Sequence, residues 1–241
     1  MNMKNSPEVI LVPGYWLGGW AWDDVTKHLS MDGVSSVAVT LPGLESSSTP
    51  REGIRLADHV NALADVIRDA AEPVVLVAHS GAGLLATAVL DLMPDKVRRV
   101  VYVESGPVAD GTIARPDLDA EAIELPLPAW DQLEAGGASI AGLSEEMLRR
   151  FQERAVPHPA GPMREPVRLH NPARNEVPAT VVCCSFPSAV VRQMVASGVE
   201  EFAPLADLAD VRYIDLPTGH WPMWSEPEAL SEVIMETTVC T

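Results

Sequence analysis

Ser80 stands in a setting that favours a reactive hydroxyl. A valine-rich apolar run over residues 73–78 precedes it, and an apolar helical pattern begins at Leu84. This order predicts a buried strand, a sharp turn and a helix, with the serine hydroxyl projecting above the sheet edge as a nucleophile. The usual pattern is Gly-x-Ser-x-Gly. Here Ala78 and Ala82 replace the outer glycines, and both are small enough for strand and helix to pass closely. Taken alone, the stretch also fits an ordinary strand-to-helix turn.

A serine nucleophile needs a general base, and His220 is the histidine best placed for that role. It follows the last predicted strand, over residues 211–216, in a loop where Gly219 precedes it. A base falls at this chain position when the triad partners follow the serine. The alternative is an ordinary surface histidine. His79 adjoins the serine, but its side chain is predicted to point the other way. The remaining histidines are expected at the surface, a rim or an insert: His28, His59, His158 and His170.

Composition limits the classes of protein to consider. The chain has 241 residues, 47% of them apolar, and a formal net charge of −17. That length can bury a sizeable core, and the acidity argues against nucleic-acid and anionic-membrane partners. No apolar run approaches the ~20 residues of a membrane helix. The first seven residues lack the apolar stretch of a signal peptide, so we expect a cytoplasmic protein. Cys183, Cys184 and Cys240 lack metal-ligand spacing, so we expect buried thiols at 183 and 184, no metal and no cofactor.

Apolar runs alternate with helical patterns along most of the chain. Strands are predicted near residues 8–12, 37–39, 73–79, 98–104, 178–184 and 211–216. The alternation predicts one α/β domain over 1–241 with a largely parallel sheet covered on both faces. Because function gathers at the C-terminal strand ends of such sheets, the loops following Val12 and holding Ser80 and Glu104 are expected together. From about 107 to 177 prolines are frequent and no strand is clear, which predicts an inserted helical cap.

Three stretches resemble the α/β-hydrolase superfamily, and most of all its compact branch of plant methylesterases and hydroxynitrile lyases. They are Val12-Pro13-Gly14-Tyr15 with Gly18-Gly19-Trp20, Ala78-His79-Ser80-Gly81-Ala82-Gly83, and Gly219-His220. The resemblance implies an α/β-hydrolase fold with a mostly parallel eight-stranded sheet, helices on both faces and a small helical cap. It also implies Ser80 as nucleophile, His220 as base, and an oxyanion hole made by the backbone N–H groups of Tyr15 and Gly81. The family usually has His-Gly where this chain has Pro13-Gly14.

The acid of the resembled triad is displaced in this chain. The family usually carries it after the strand that ends here at Cys184, where this chain reads Ser185-Phe186-Pro187-Ser188. Some members carry the acid one strand earlier, and Glu104 occupies that position. We therefore expect Glu104 to orient His220, against the alternative of an unrelated loop carboxylate. Weaker candidates near the last strand are Asp207, Asp210 and Asp215.

Aromatic residues near the expected site suggest an apolar mouth. They are Trp16, Trp20, Trp221 and Met223, with Trp224 beside them. The resulting hypothesis is a serine hydrolase that cleaves a small, uncharged, fairly hydrophobic carboxylic ester or lactone through an acyl-enzyme.

Two alternatives stay open on the same scaffold. One is a lyase or cyclase that uses Ser80 and His220 as acid–base groups. The other is a binding protein that has lost catalysis, which the missing usual acid motivates. Cyanide chemistry is disfavoured because no lysine falls in a predicted active-site loop. The oligomeric state is open, with a homodimer as one candidate.

Overall fold

The computed structural model describes residues 7–239. The predictions that concern the first six residues and Cys240 lie outside that range. The strands are β1 Val9–Val12, β2 Ser36–Ala38, β3 Val74–His79, β4 Val97–Val103, β5 Glu124–Leu125, β6 His158–Pro159, β7 Ala179–Cys183 and β8 Val211–Asp215. The α-helices are α1 Asp23–Met31, α2 Leu56–Asp69, α3 Ala82–Leu92, α4 Trp130–Ala135, α5 Glu145–Arg154, α6 Ala160–Arg164, α7 Ser188–Ala196, α8 Ala203–Ala206, α9 Pro222–Ser225 and α10 Pro227–Val239. Four 3₁₀ turns accompany them, Gly19–Trp22, Pro94–Lys96, Pro172–Glu176 and Glu200–Phe202.

Six strands form one sheet in the order β2-β1-β3-β4-β7-β8, and every neighbouring pair is parallel. The predicted α/β class and parallel sheet are confirmed. The eight-stranded count is wrong for residues 7–239, because six of the eight strands there join the main sheet. The two further short strands, β5 and β6, pair antiparallel in a separate ribbon.

Side chains alternate between two cores, one on each face of the sheet. In β1, Ile10 faces the core under α2 and α3, whereas Leu11 faces the core under α1 and α10. Helix α2 buries Leu63 and Ile67 on one stripe, as its helical spacing predicts. Both faces are therefore covered, which leaves the strand ends as the place for a site.

The segment between β4 and β7 holds the β5–β6 ribbon and the short helices α4 to α6. Helix α5 begins after Ser144, whose hydroxyl accepts a hydrogen bond from the backbone N–H of Met147 at 3.2 Å. This segment contacts the main body at several places, and two of its backbone hydrogen bonds join it to the loops after β1 and β8. Val156 N–H donates to Trp16 O at 2.9 Å, and His220 N–H donates to Ser139 O at 2.7 Å.

Candidate active site

Three loops at one edge of the sheet hold a non-glycine residue in left-handed backbone geometry. Within residues 7–239 these residues are Trp16 (φ 65°), Ser80 (φ 52°) and Glu104 (φ 47°). They follow β1, β3 and β4, which are adjacent parallel strands. Such backbone geometry costs free energy and concentrates at functional sites. The edge predicted from the strand order is therefore where the fold holds strained residues.

Ser80 occupies the sharp turn between β3 and α3. Its N–H donates to Val103 O at 3.0 Å, so the turn remains tied to β4. A side chain at Gly83 would overlap Ser105 Oγ and crowd Gly106 O, whereas Ala82 is accommodated with 5% exposure. The tightest contact at the start of α3, against Ser105 and Gly106, therefore falls at Gly83. Position 82 has room for a methyl group, which explains why alanine can replace the usual glycine there.

The imidazole of His220 meets the Ser80 hydroxyl. Its Nε2 lies 2.8 Å from Ser80 Oγ, a normal hydrogen-bond distance for a nucleophile and its base. A side chain on Gly219 would overlap Ala141 O, so this loop is seated tightly against the β4–β7 segment. The structure brings together the two residues that sequence patterns placed 140 positions apart.

Glu104 lies on the other side of the His220 ring. Its Oε2 is 3.5 Å from His220 Nδ1, an ion-pair distance longer than a hydrogen bond. Its Oε1 accepts from the backbone N–H groups of Cys184 at 2.6 Å and Ser185 at 2.9 Å. Burial raises the pKa of the Glu104 carboxyl, but His220, the Cys184 N–H and Ser185 together outweigh burial, so the net pKa is lowered. The carboxyl is therefore an anion at neutral pH.

The other carboxylates considered from the sequence are engaged elsewhere. Asp215 accepts from the Ser188 hydroxyl at 2.8 Å and from its N–H. Asp210 lies 3.7 Å from Arg99, and Asp207 lines a separate cavity. Among the four acidic candidates, Glu104 is the one beside the His220 ring.

Tyr15 and Gly81, the two residues expected to form an oxyanion hole, both line the cavity that holds Ser80. Within residues 7–239, neither Tyr15 N–H nor Gly81 N–H donates a hydrogen bond. The Tyr15 ring lies over Gly81, where any side chain would overlap the distal end of the ring. Burial raises the pKa of Tyr15 to about 12, so its hydroxyl stays protonated. The ring contact places Tyr15 against Gly81, so the two residues are neighbours in the fold.

A cavity of about 570 Å³ opens beside these groups. Ser80, Glu104 and His220 lie in its wall, and no lysine or arginine lines it. Its apolar lining is Leu84, Val108, Val181, Val182, Phe186, Val191, Met194, Phe202 and Leu205. Several of these residues follow β7, so the sequence rule that function gathers at strand ends could have found them.

The predicted aromatic mouth is wrong in this structure. Trp16, Trp221 and Met223 are buried in the core on the α1–α10 face, with Trp20 packed against it, and none of the four lines the cavity. Trp20 stacks on Trp224 with ring centroids 5.6 Å apart. Aromatic rings bury large apolar areas. Here they do so against α5 and α9, so the cavity wall is mostly aliphatic, with Phe186 and Phe202 among its aromatic members.

Two further histidines are buried. His59, expected at the surface or a rim, is 3% exposed, and its Nε2 lies 2.9 Å from Pro42 O, so that expectation is wrong. His158 lies in the insert, one of its two expected places, where it is 4% exposed and its Nδ1 has no partner among residues 7–239. Both line a small cavity of about 30 Å³ behind the Tyr15 ring. Tyr15 lies between this chamber and the larger cavity together with Gly81, Leu84 and Ala114, because these four residues line both.

Cys183 and Cys184 are buried free thiols, as predicted. Burial, with a smaller effect of Asp215, raises the pKa of Cys183 to about 12. Burial also raises the pKa of Cys184. Neither thiol is a reactive thiolate near pH 7.

Over residues 7–239 no group of three or more His, Cys, Asp or Glu side chains is arranged to hold a metal ion. The helices of that range are also too short or too polar to cross a membrane.

Fold and site together define an α/β hydrolase, and the chain belongs to the alpha/beta hydrolase family, whose model matches residues 9–233. In sequence it is similar to Methylesterase 7 of Arabidopsis thaliana, at 23% identity over 262 residues and 98% of each chain. Its fold is similar to a pyrethroid hydrolase from Sphingobium faniae JZ-2, with a TM-score of 0.69 and 20% identity over 97% of this chain and 98% of that one. It is also similar to tomato Methylketone Synthase I, with a TM-score of 0.72 and 15% identity over 97% and 98%.

Proposed function

We propose that the protein is a serine esterase that cleaves small, uncharged, hydrophobic carboxylic esters or lactones through an acyl-enzyme. The observation that carries this proposal is the 2.8 Å contact between Ser80 Oγ and His220 Nε2 at the wall of an apolar cavity. Relatives named as a methylesterase and a pyrethroid hydrolase support the same class of reaction.

The chemistry begins when Ser80 Oγ attacks the substrate carbonyl carbon while His220 Nε2 takes the hydroxyl proton. The buried Glu104 anion stabilises the imidazolium that forms. The developing oxyanion is held by the N–H groups of Tyr15 and Gly81, each contributing roughly 3 kcal/mol when well aimed. His220 then protonates the leaving alkoxide. Water, deprotonated by His220, releases the acid from Ser80.

The lining of the cavity determines which class of substrate it can bind. Its lining is mostly aliphatic, and the charged side chains in its wall, Glu104 and Glu201, are acidic. A carboxylate on the substrate would meet like charge and lose its hydration without a compensating cation. Neutral, apolar acyl or alcohol groups fit this lining. The substrate preference therefore rests on valine, leucine, methionine and phenylalanine contacts instead of on the tryptophans.

The test uses purified protein with p-nitrophenyl esters and with simple lactones. We expect turnover by the wild type, loss of it in Ser80→Ala, and normal turnover in Ser48→Ala, a serine-to-alanine change in an exposed loop. Quenching during turnover and mass spectrometry of the peptide around Ser80 should show the acyl group. Normal turnover by Ser80→Ala would refute the proposal, and product formation without an acyl-serine would favour the lyase or cyclase alternative.

A further inference from the structure

His79 is a fully buried histidine next to the nucleophile that the proposed reaction does not use. Its ring is 1% exposed, and its Nε2 lies 2.7 Å from the backbone carbonyl oxygen of His220. A carbonyl can only accept, so His79 Nε2 carries the proton and donates. His79 Nδ1 is then an unprotonated acceptor, and it has no partner among residues 7–239.

We propose that His79 is a positioning residue: its imidazole fixes the backbone of His220 and thereby the distance between the His220 ring and Ser80 Oγ. This inference rests on the proposed serine chemistry.

The backbone of His220 is held at both of its polar groups. Its N–H donates to Ser139 O at 2.7 Å, and its C=O accepts from His79 at 2.7 Å. The preceding Gly219 packs so closely on Ala141 O that a side chain would overlap it. Of these contacts, the bond from His79 is the one that comes from the element carrying the nucleophile. His79 and Ser80 are adjacent in the chain, so one short segment holds both the nucleophile and the bond that fixes the backbone of the base.

The other edge of the His79 ring faces the loop after β1. A side chain at Gly14 would lie 3.0 Å from both His79 Nδ1 and the Ser80 Cβ. The loop that carries the Tyr15 N–H thus packs directly on His79. The His79 ring therefore lies between the loop that carries Tyr15 and the loop that carries His220, and it sets the spacing between them.

The rival interpretation is that His79 only fills volume in the core. The two interpretations differ in whether the proton at the ε position matters. Methionine at 79 would fill similar volume without a donor, and it would leave the buried carbonyl of His220 unsatisfied. Glutamine can place an amide N–H near the position of the histidine Nε2. His79→Gln and His79→Met are therefore a matched pair.

The experiment measures kcat and KM of the full chain and its two variants with a p-nitrophenyl ester. We expect His79→Met to lose about 10- to 100-fold in kcat, the range for a misplaced catalytic group, with little change in KM. His79→Gln should keep most of the wild-type kcat. Circular dichroism of all three proteins checks that the compared samples are folded. If His79→Met does not fold, the kcat of His79→Gln decides: near wild type supports the proposal, and a tenfold loss overturns it.

A second readout needs no turnover. The ¹⁵N signals of the His220 ring, assigned by their loss in His220→Gln, should move in His79→Met and stay close to wild type in His79→Gln. Folded His79→Met with wild-type kcat and an unmoved His220 signal would overturn the proposal, as would equal losses in both variants. If the wild type hydrolyses no ester, the proposed function fails, and the ring signals alone then decide the role of His79.

Discussion

The burial of His79 predicts that mild acid destabilises the fold. Burial, with the neighbouring His220, lowers the pKa of His79 to about 3, against the smaller opposing effects of the His220 carbonyl and the Glu104 anion. In the unfolded chain a histidine titrates near its ordinary value of about 6.5. Between these two pKa values the unfolded state binds a proton that the folded state does not. Stability is therefore complete above about pH 6.5 and falls as the pH falls towards 3.

The size of the stability loss follows from how far the pH lies below the pKa of the unfolded histidine. At pH 5 the unfolded histidine lies about 1.5 pH units below its pKa, while folded His79 is still neutral. At 1.36 kcal/mol per unit, His79 alone lowers the free energy of unfolding by about 2 kcal/mol between pH 7.5 and pH 5. Burial lowers the pKa of His59 and of His158 as well, so both add to the loss. Glu104 does not contribute here, because its lowered pKa matters only below about pH 4.5.

Urea unfolding followed by tryptophan fluorescence measures this effect at pH 7.5, 6.5, 5.5 and 5. The comparison is between wild type and His79→Gln, which removes one titrating group. Any constant loss of stability in the variant cancels when each protein is compared with itself across pH. The wild type should lose about 2 kcal/mol more than the variant. Identical pH dependence in the two proteins would show that His79 is not a neutral buried base, and the reasoning would be wrong.

Three further outcomes are expected. Glu104→Gln should lower kcat by about 100-fold or more while KM changes little, because the imidazolium loses its anion; unchanged kcat in ester assays would contradict this role. Tyr15→Ala should join the small chamber to the main cavity and extend turnover to bulkier esters across an ester series, whereas Tyr15→Phe keeps the partition and the wild-type range. Trp20→Ala should lower the free energy of unfolding by roughly 2 kcal/mol in urea titrations without changing ester selectivity, and a changed selectivity would restore the aromatic mouth.

The elements that the sequence predicts best are those set by local pattern. The valine run before Ser80 defines β3, and the stripe of Leu63 and Ile67 defines the buried face of α2. Strand order also predicts that the loops holding Ser80 and Glu104 meet, because parallel strands bring their C-terminal ends to one edge. The expected roles of His220 and Glu104 came in addition from the resemblance to the α/β-hydrolase superfamily.

The features that the sequence missed depend on partners far away in the chain. In the sequence, Trp20 fits the mouth of an active-site cavity as well as the packed core. The structure shows Trp224 and Arg154 packed on its ring. The sequence places His158 at the surface or in the cap but gives no sign of its partner Tyr15, against which it packs edge-on with ring centroids 4.9 Å apart. The 3.5 Å separation of Glu104 from His220 likewise depends on backbone groups after β7. No local pattern encodes such contacts.

The Glu104 carboxylate is anchored by main-chain amides, so its position depends little on which side chains stand at the anchoring positions. Any residue except proline offers an N–H at positions 184 and 185, so natural variation in those side chains leaves the anchor intact. Phe186, one residue further on, is 52% exposed and lies at the rim of the cavity. Selection can therefore reshape this rim for new substrates while the acid stays in place. Substitutions at the exposed Phe186 side chain can therefore alter the cavity rim without removing either N–H that anchors the Glu104 carboxylate.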